Sequence, residues 1–170
     1  MAQVQIRAFS AEDRDWLVEQ HGVLYAQNEG FDASFGTLVA EIIDAFLSAH
    51  DPHREAGWIA QRGDVRLGSI FCVRLNETTA KLRLFLLVPE ARGQGLGKQL
   101  LYTCMEFAEN RDYTGMQLWT HESHHAACAL YQSTGWKMIS SEPVHSFGQD
   151  LVEQSWIYRF DPLAICEPGS

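Results

Sequence analysis

Apolar and polar positions change period several times along the chain, and each change marks an element. "VQIRAFS" (4–10) alternates and predicts a strand. Ser10 and Asp13 then form a capping-box pattern. It opens a helix over "DRDWLVEQHGVLYAQ", with Trp16, Leu17, Leu24 and Tyr25 at helical spacing. "FDASFGTLVAEIIDAFLSAH" sets Phe31, Phe35, Leu38, Val39, Ile42 and Phe46 along one stripe, a second helix that ends before Pro52. "AGWIAQRGDVRLGSIFCVRLNE" predicts two strands around a Gly63-Asp64 turn. "AKLRLFLLVPE" is an apolar strand running into Pro89, and "GQGLGKQLLYTCMEFAENRD" is a helix that begins in glycines. "GMQLWT" is a strand, and "SHHAACALYQSTGW" is a helix closed by Gly135. "WKMISSEPVHSFGQDLVEQSWIYRF" gives two final strands with a long turn.

The resulting order, β-α-α-β-β-β-α-β-α-β-β, points to an α/β or α+β fold with a mixed sheet. No internal repeat, linker or low-complexity tract interrupts it. The 170 residues are expected to form one domain, 1–170, large enough to fold without a disulfide or a metal.

Composition narrows the function. The formal net charge of −9 argues against nucleic-acid binding, because such a surface repels phosphate. An anion would have to be held locally, by oriented backbone N–H groups. No apolar run approaches the roughly 20 residues of a membrane span, and the N-terminus shows no apolar signal segment. Cys72, Cys104, Cys128 and Cys166 form no C-x-x-C pair and read as reduced, buried thiols. A cytoplasmic location is the expectation; a homodimer is left open.

"LLVPEARGQGLGKQLL" carries the chemistry. A strand stops at proline, and a glycine-rich turn then opens a helix. Glycines allow close backbone approach, and a helix N-terminus offers free N–H groups and partial positive charge, which together suit a pyrophosphate. A P-loop would need glycine where Arg92 stands and Ser or Thr where Gln99 stands. A dinucleotide fingerprint fails as well, because Gly93, Gly95 and Gly97 give G-x-G-x-G. The remaining pattern is R-x-x-G-x-G, met by Arg92, Gly95 and Gly97 after a V-P-E strand end.

This loop resembles the acetyl-CoA loop of the GNAT N-acetyltransferases. Leu130-Tyr131 and Gly135-Trp136 are similar to that family's L-Y-x-x-x-G-[FW] ending, and the element order is similar over about residues 4 to 160. "LYAQNEGFD" and "SEPVHSFGQDLV" look most like the branch found fused to MarR-type regulators. The resemblance implies a GNAT fold, with a mostly antiparallel central sheet of about seven strands and about four helices. It also implies acetyl-CoA as co-substrate and an amine of a small molecule or protein as acceptor.

By the same resemblance, the backbone of Leu86, Leu87 and Val88 would pair with the pantetheine arm, and the Leu87 N–H would face the thioester oxygen. Backbone N–H groups of Gly93, Gln94, Gly95, Leu96, Gly97 and Lys98 would take the pyrophosphate, with Arg92 positioning the loop. Tyr131 would act as general acid toward sulfur. Where the family commonly has an asparagine on the pantetheine arm, this chain has His124, which can still donate one hydrogen bond. The acceptor would lie between the first two helices and the last hairpin, so Tyr25, Glu29, Arg83 and His145 are its candidate contacts. His21 is a further candidate, and Trp58 could add an apolar or cation–π wall. Arg83 is unusual as a charge in the middle of a strand and could meet an acceptor carboxylate. No residue is singled out as the general base, so a non-catalytic acyl-CoA-binding sensor remains the alternative.

"THESHHAAC" (120–128) also contains H-E-x-x-H, through His121 and His125. A zinc protease needs both histidines on one helical face. The strand "GMQLWT" runs up to Thr120, so no metal site is expected there.

Overall fold

The computed structural model describes residues 3–160, so Cys166 lies outside the described residues. The elements follow the predicted order: β1 (Val4–Ala8), α1 (Arg14–Glu29), α2 (Ala33–Ala49), β2 (Ala56–Arg62), β3 (Val65–Arg74), β4 (Thr79–Leu87), α3 (Leu96–Asn110), β5 (Gly115–His121), α4 (His125–Ser133), β6 (Lys137–Ser146) and β7 (Gln149–Arg159). The seven strands form one sheet in the order β1-β2-β3-β4-β5-β7-β6. Every pairing is antiparallel except β4 with β5.

Side chains leave a strand on alternate faces, and β3 shows what this does. Ile70 and Cys72 join the core under α3 and α4, with Leu100, Leu101, Cys104 and Tyr131. Phe71, between them, joins Leu17, Val39, Ile43 and Phe46 under α1 and α2. The sheet is therefore covered on both faces. Asp13, fully buried just before α1, ties the first strand to the third. It accepts from Arg7 at 2.7 and 2.9 Å and from Arg66 at 2.8 Å, and also from the Ser10 N–H at 2.9 Å, one arm of the expected capping box. The two guanidinium partners hold its carboxyl well below the usual carboxylate range, against the opposing effect of burial.

Two expectations need correction. The buried stripe of α2 is Val39, Ile43 and Phe46, whereas Leu38 and Ile42 turn toward a cavity between α2 and the sheet. The last two strands are joined by a tight turn, Phe147-Gly148, not a long one. Both turn residues have positive φ, 54° and 78°, as a two-residue hairpin matched to strand twist requires. Cys72 and Cys104 are buried thiols as expected, while Cys128 is only partly buried.

Candidate functional site

The site begins where the sheet opens. β4 pairs with β5 only from Thr79 to Lys81, and beyond that the two parallel strands separate. On its other side β4 stays bonded to β3, with one irregularity. Ser69 faces Leu86 and Phe71 faces Arg83, so Leu84 and Phe85 together oppose Ile70. Leu84 takes φ 54°, and its carbonyl accepts from Ser69 Oγ at 2.7 Å. This is a β-bulge, which bends the strand and re-aims its side chains. Past the bulge, the Val88 N–H bonds Leu67 O at 2.9 Å. Alternation then points the Leu87 N–H and C=O toward the open side. The Leu87 carbonyl indeed receives Arg92 Nη2 at 3.4 Å from that direction.

The glycine turn stands at the end of the same strand. Gly93 and Gly95 have φ of 78° and 77°, which L side chains rarely adopt, and Gly95 caps α3 without any side-chain cap. The first helical bond runs from Gln99 N–H to Gly95 O at 3.2 Å. The N–H groups of Leu96, Gly97 and Lys98 therefore lack intrahelical acceptors. A Cβ on Gly97 would come within 3.2 Å of Leu87 Cδ1, so glycine lets the α3 end close on β4. An uncapped helix end beside an unzipped strand edge fits a ligand with an anionic end and an extended amide-bearing arm. Gln94 is held by Arg62 at 3.2 Å and bonds Glu90 O at 3.1 Å, which fixes the turn.

Across the opening lies a cluster that joins α1, α2, β5, α4 and the last hairpin. Tyr25 stacks on Phe35 with centroids 4.5 Å apart and meets the His124 ring edge-on at 5.1 Å. Phe147, at the hairpin tip, packs on both Phe31 and Phe35 at 4.9 Å. Glu29, whose side chain is only 12% exposed, accepts from Ser123 Oγ and lies 3.6 Å from His124 Nε2. His124 caps α4, and its Nδ1 meets Thr120 Oγ1 at 3.1 Å while Nε2 is buried without a hydrogen-bond partner. Burial lowers the His124 pKa, and Glu29 partly opposes the shift, so the ring is neutral at pH 7. Burial and the Glu29 charge push the Tyr25 phenol up to about 12.

Tyr131, on α4, is 3% exposed and sits among Phe85, Trp136 and Trp156, with ring centroids 6.4, 5.7 and 6.1 Å away. Its hydroxyl forms no hydrogen bond among the described residues, and burial raises its pKa strongly, so it stays a donor at any physiological pH.

The acetyltransferase (GNAT) family pattern matches residues 13–136, which spans α1 through the end of α4. The chain belongs to this family. Among sequence relatives, human N-acetyltransferase 8B is 29% identical over 138 residues, covering 75% of this chain and 58% of that protein. N-acetyltransferase 8 from Rattus norvegicus is 30% identical over 133 residues, with the same two coverages. The match thus spans less than two thirds of each relative. Among solved structures, a GNAT-family acetyltransferase from Streptococcus pneumoniae superposes with a TM-score of 0.73 at 16% identity, covering 93% of this chain and all of that one. YncA from Salmonella typhimurium, solved with its cofactor acetyl-CoA, gives 0.73 at 16% identity over 93% and 94% of the two chains. These structures establish the GNAT fold.

Not every acceptor candidate joins this GNAT cleft in the expected way. Tyr25 and Glu29 are in the cluster. His21 is buried behind Tyr25, stacked at 5.9 Å, with Nδ1 on Leu17 O at 2.9 Å and its pKa lowered to about 4 by burial. His145 stays exposed and pairs with Asp150 at 2.9 Å across the hairpin; Phe147, two residues on, enters the cluster in its place. Trp58 packs on Phe107 of α3 at 5.3 Å, on the opposite face of the sheet, so it is no acceptor wall. Arg83 lines the cavity between α2 and the sheet. His121 ends β5, and His125 begins α4, so the two histidines share no helical face. Ser123 reads from sequence as the cap of α4, a place that His124 takes; Thr120, Lys81, Trp119 and Phe147 carry no such signal. Only the crowding of histidines in "HESHH" hinted that something gathers there.

Proposed function

We propose that the chain is an N-acetyltransferase that moves the acetyl group of acetyl-CoA to a primary amine of a small molecule or a protein. The observation that carries this is the open edge of β4, with the Leu87 N–H aimed into it, next to the uncapped end of α3. In this reading Gly93 to Lys98 bind the pyrophosphate through backbone N–H groups, and Arg92 braces the loop through the Leu87 carbonyl. Leu86 to Val88 offer the strand edge to the amide-bearing arm. The Leu87 N–H stabilises the negative charge that grows on the thioester oxygen, an effect worth about 3 kcal/mol for one well-placed donor.

Two proton movements remain. An alkyl ammonium has a pKa of about 10.4, so only about one in a few thousand is neutral at pH 7. Glu29, held by Ser123 and faced by neutral His124, is the best-placed carboxylate to accept that proton. Tyr131 donates to the departing sulfur. Its raised pKa makes full proton transfer to a thiolate of pKa about 8.5 unfavourable, so a hydrogen bond to the developing charge is its main contribution. One domain over 1–170, a cytoplasmic location and the MarR-associated branch complete the reading. They rest on the sequence reading alone.

The test is release of free thiol from acetyl-CoA with a panel of amines, alongside direct acetyl-CoA binding. Turnover that depends on an added amine supports the enzyme. Tight binding with no turnover on any amine would point to the sensor reading instead.

A further inference from the structure

α2 carries two apolar stripes. Val39, Ile43 and Phe46 face the core. Leu38, Ile42, Ala45 and Ala49, at helical spacing, face a cavity of about 450 Å³ whose floor is Phe71 and Val73 of β3 and Arg83 and Leu84 of β4. A volume of that size is within the range of small-molecule sites. The β4 bulge explains why Arg83 and Leu84, adjacent in sequence, can line the same cavity: strict alternation would send one of them to the α3 face.

Arg83 is the unusual member of this lining. Arg83 is half-buried, which lowers its pKa, and among the described residues its guanidinium has neither an ion pair nor a hydrogen bond. The other polar groups of the lining are mostly occupied. Glu55 accepts from the Asp51 N–H at 2.9 Å and the Arg74 N–H at 3.0 Å. Arg74 pairs with Glu77, and His50 bonds Phe46 O at 2.8 Å. Glu41 lines the same cavity from α2, is exposed, and makes no bond to Arg83. Lys81 leaves β4 on the same face as Arg83, two residues earlier. It rests 4.9 Å above the Trp119 ring and is itself depressed by burial and by the Arg83 charge, with the Glu153 carboxylate opposing the shift. Two neighbouring cations, partly desolvated, thus sit side by side in a chain of net charge −9. A partly desolvated charge without a partner carries a cost, and part of it is recovered when an anion arrives.

We propose that this cavity takes a small acceptor with an apolar body and a carboxylate, the carboxylate meeting Arg83 and the body lying along the Leu38–Ala49 stripe of α2. The inference rests on the acetyltransferase reading for the word acceptor. It narrows that reading from amines in general to amphipathic anionic amines of small size.

Product analogues test binding without turnover. Calorimetry would compare N-acetylphenylalanine and N-acetylleucine with their uncharged amides, on the wild-type protein, Arg83→Gln and Arg83→Lys. Hydrogen bonds to a charged group are strong enough that each acid should bind about tenfold or more tightly than its amide. Arg83→Gln should remove that difference and leave the amides unchanged; Arg83→Lys should keep part of it. The melting temperature of Arg83→Gln should stay level or rise, because an unpaired, partly buried charge has been removed. Failure of every acid to bind, equal affinity for acids and amides, or a large loss of stability in Arg83→Gln would each overturn the proposal. If the acids bind through Arg83 but no amine is ever acetylated, the catalytic reading falls and the anion site stands. If phenylalaninamide is acetylated as well as phenylalanine and Arg83→Gln is indifferent to both, the reverse holds.

Discussion

Glu29 Oε1 and His124 Nε2 face each other across 3.6 Å, too far for a hydrogen bond, and the imidazole nitrogen has no other partner. The last residue of α1 and the cap of α4 meet here, beside the open end of β4. A gap of this kind between an acceptor and a potential donor leaves the carboxylate free to take a proton from a third group.

Glu29→Gln keeps the shape and the contact with Ser123 but removes the base. With an amine substrate at pH 7, kcat/KM should fall by about 10²–10⁴-fold. The loss should shrink as pH rises toward the pKa of the amine, because more of the substrate then arrives already neutral. A deficit constant from pH 7 to 10 would assign Glu29 to binding alone.

Tyr131→Phe removes a single hydroxyl from a pocket of aromatic rings. Packing should survive, and acetyl-CoA affinity should move little. The turnover number should drop about tenfold to a hundredfold, at or below the lower end of general-acid effects, since the thiolate is a fair leaving group unaided. Single-turnover kinetics separates this from product release, and an unchanged chemical step would remove Tyr131 from the mechanism.

Gly95→Glu places a side chain on a backbone with φ 77° and a negative charge at the uncapped end of α3. The left-handed backbone costs about 1–2 kcal/mol for a residue with a side chain, and the carboxylate competes for the same N–H groups as a phosphate. Acetyl-CoA affinity should fall by more than about tenfold in calorimetry. Gly95→Ala, which shares the strain but not the charge, should fall less, and equal losses would mean that the strain alone is responsible.

Acid should weaken the fold in two windows. His21 titrates near 6.5 when unfolded and at about 4 when folded, so the unfolded chain binds more protons between those values. Stability should therefore be complete above about pH 6.5 and fall as pH drops toward 4, by about 3 kcal/mol at most from this group. Asp13 acts lower: its depressed carboxyl stabilises the fold above about pH 4, and that contribution goes as the pH falls further. Urea midpoints at pH 7 and 4.5 should differ less in His21→Leu than in the wild-type protein. An equal difference would mean that other groups carry the acid sensitivity.

The glycine-turn end of the cleft was legible because it is written in local rules. Gly93 and Gly95 are there for their positive φ, Pro89 for the end of a strand, and Leu96, Leu100 and Cys104 for the helix that follows them. The aromatic cluster across from it was legible only in part. Tyr25 and Glu29 are expected there because the resemblance puts the acceptor between the first two helices and the last hairpin, yet their partners Ser123 and His124 lie about 95 residues away, and no periodicity links the two stretches. The α2 stripe was misread by one position. Ile42 and Ile43 are equally apolar, and pattern alone does not say which of them meets the sheet and which meets a cavity. The Phe147-Gly148 turn escaped because phenylalanine rarely adopts positive φ. Here the ring's contacts with Phe31 and Phe35 hold it there.

Those ring contacts also order events during synthesis. Tyr25, Phe31 and Phe35 leave the ribosome early, while Phe147, which covers two of them, is made 112 residues after Phe35. At about 5–20 residues per second, these aromatic faces wait roughly 6 to 20 seconds for their lid. During that interval the nascent chain exposes a sticky surface that the finished protein conceals, which is where a chaperone would first find it. A pulse-chase with photo-crosslinking from position 31 should catch chaperone adducts on chains stopped before Phe147 and lose them on chains extended beyond β7.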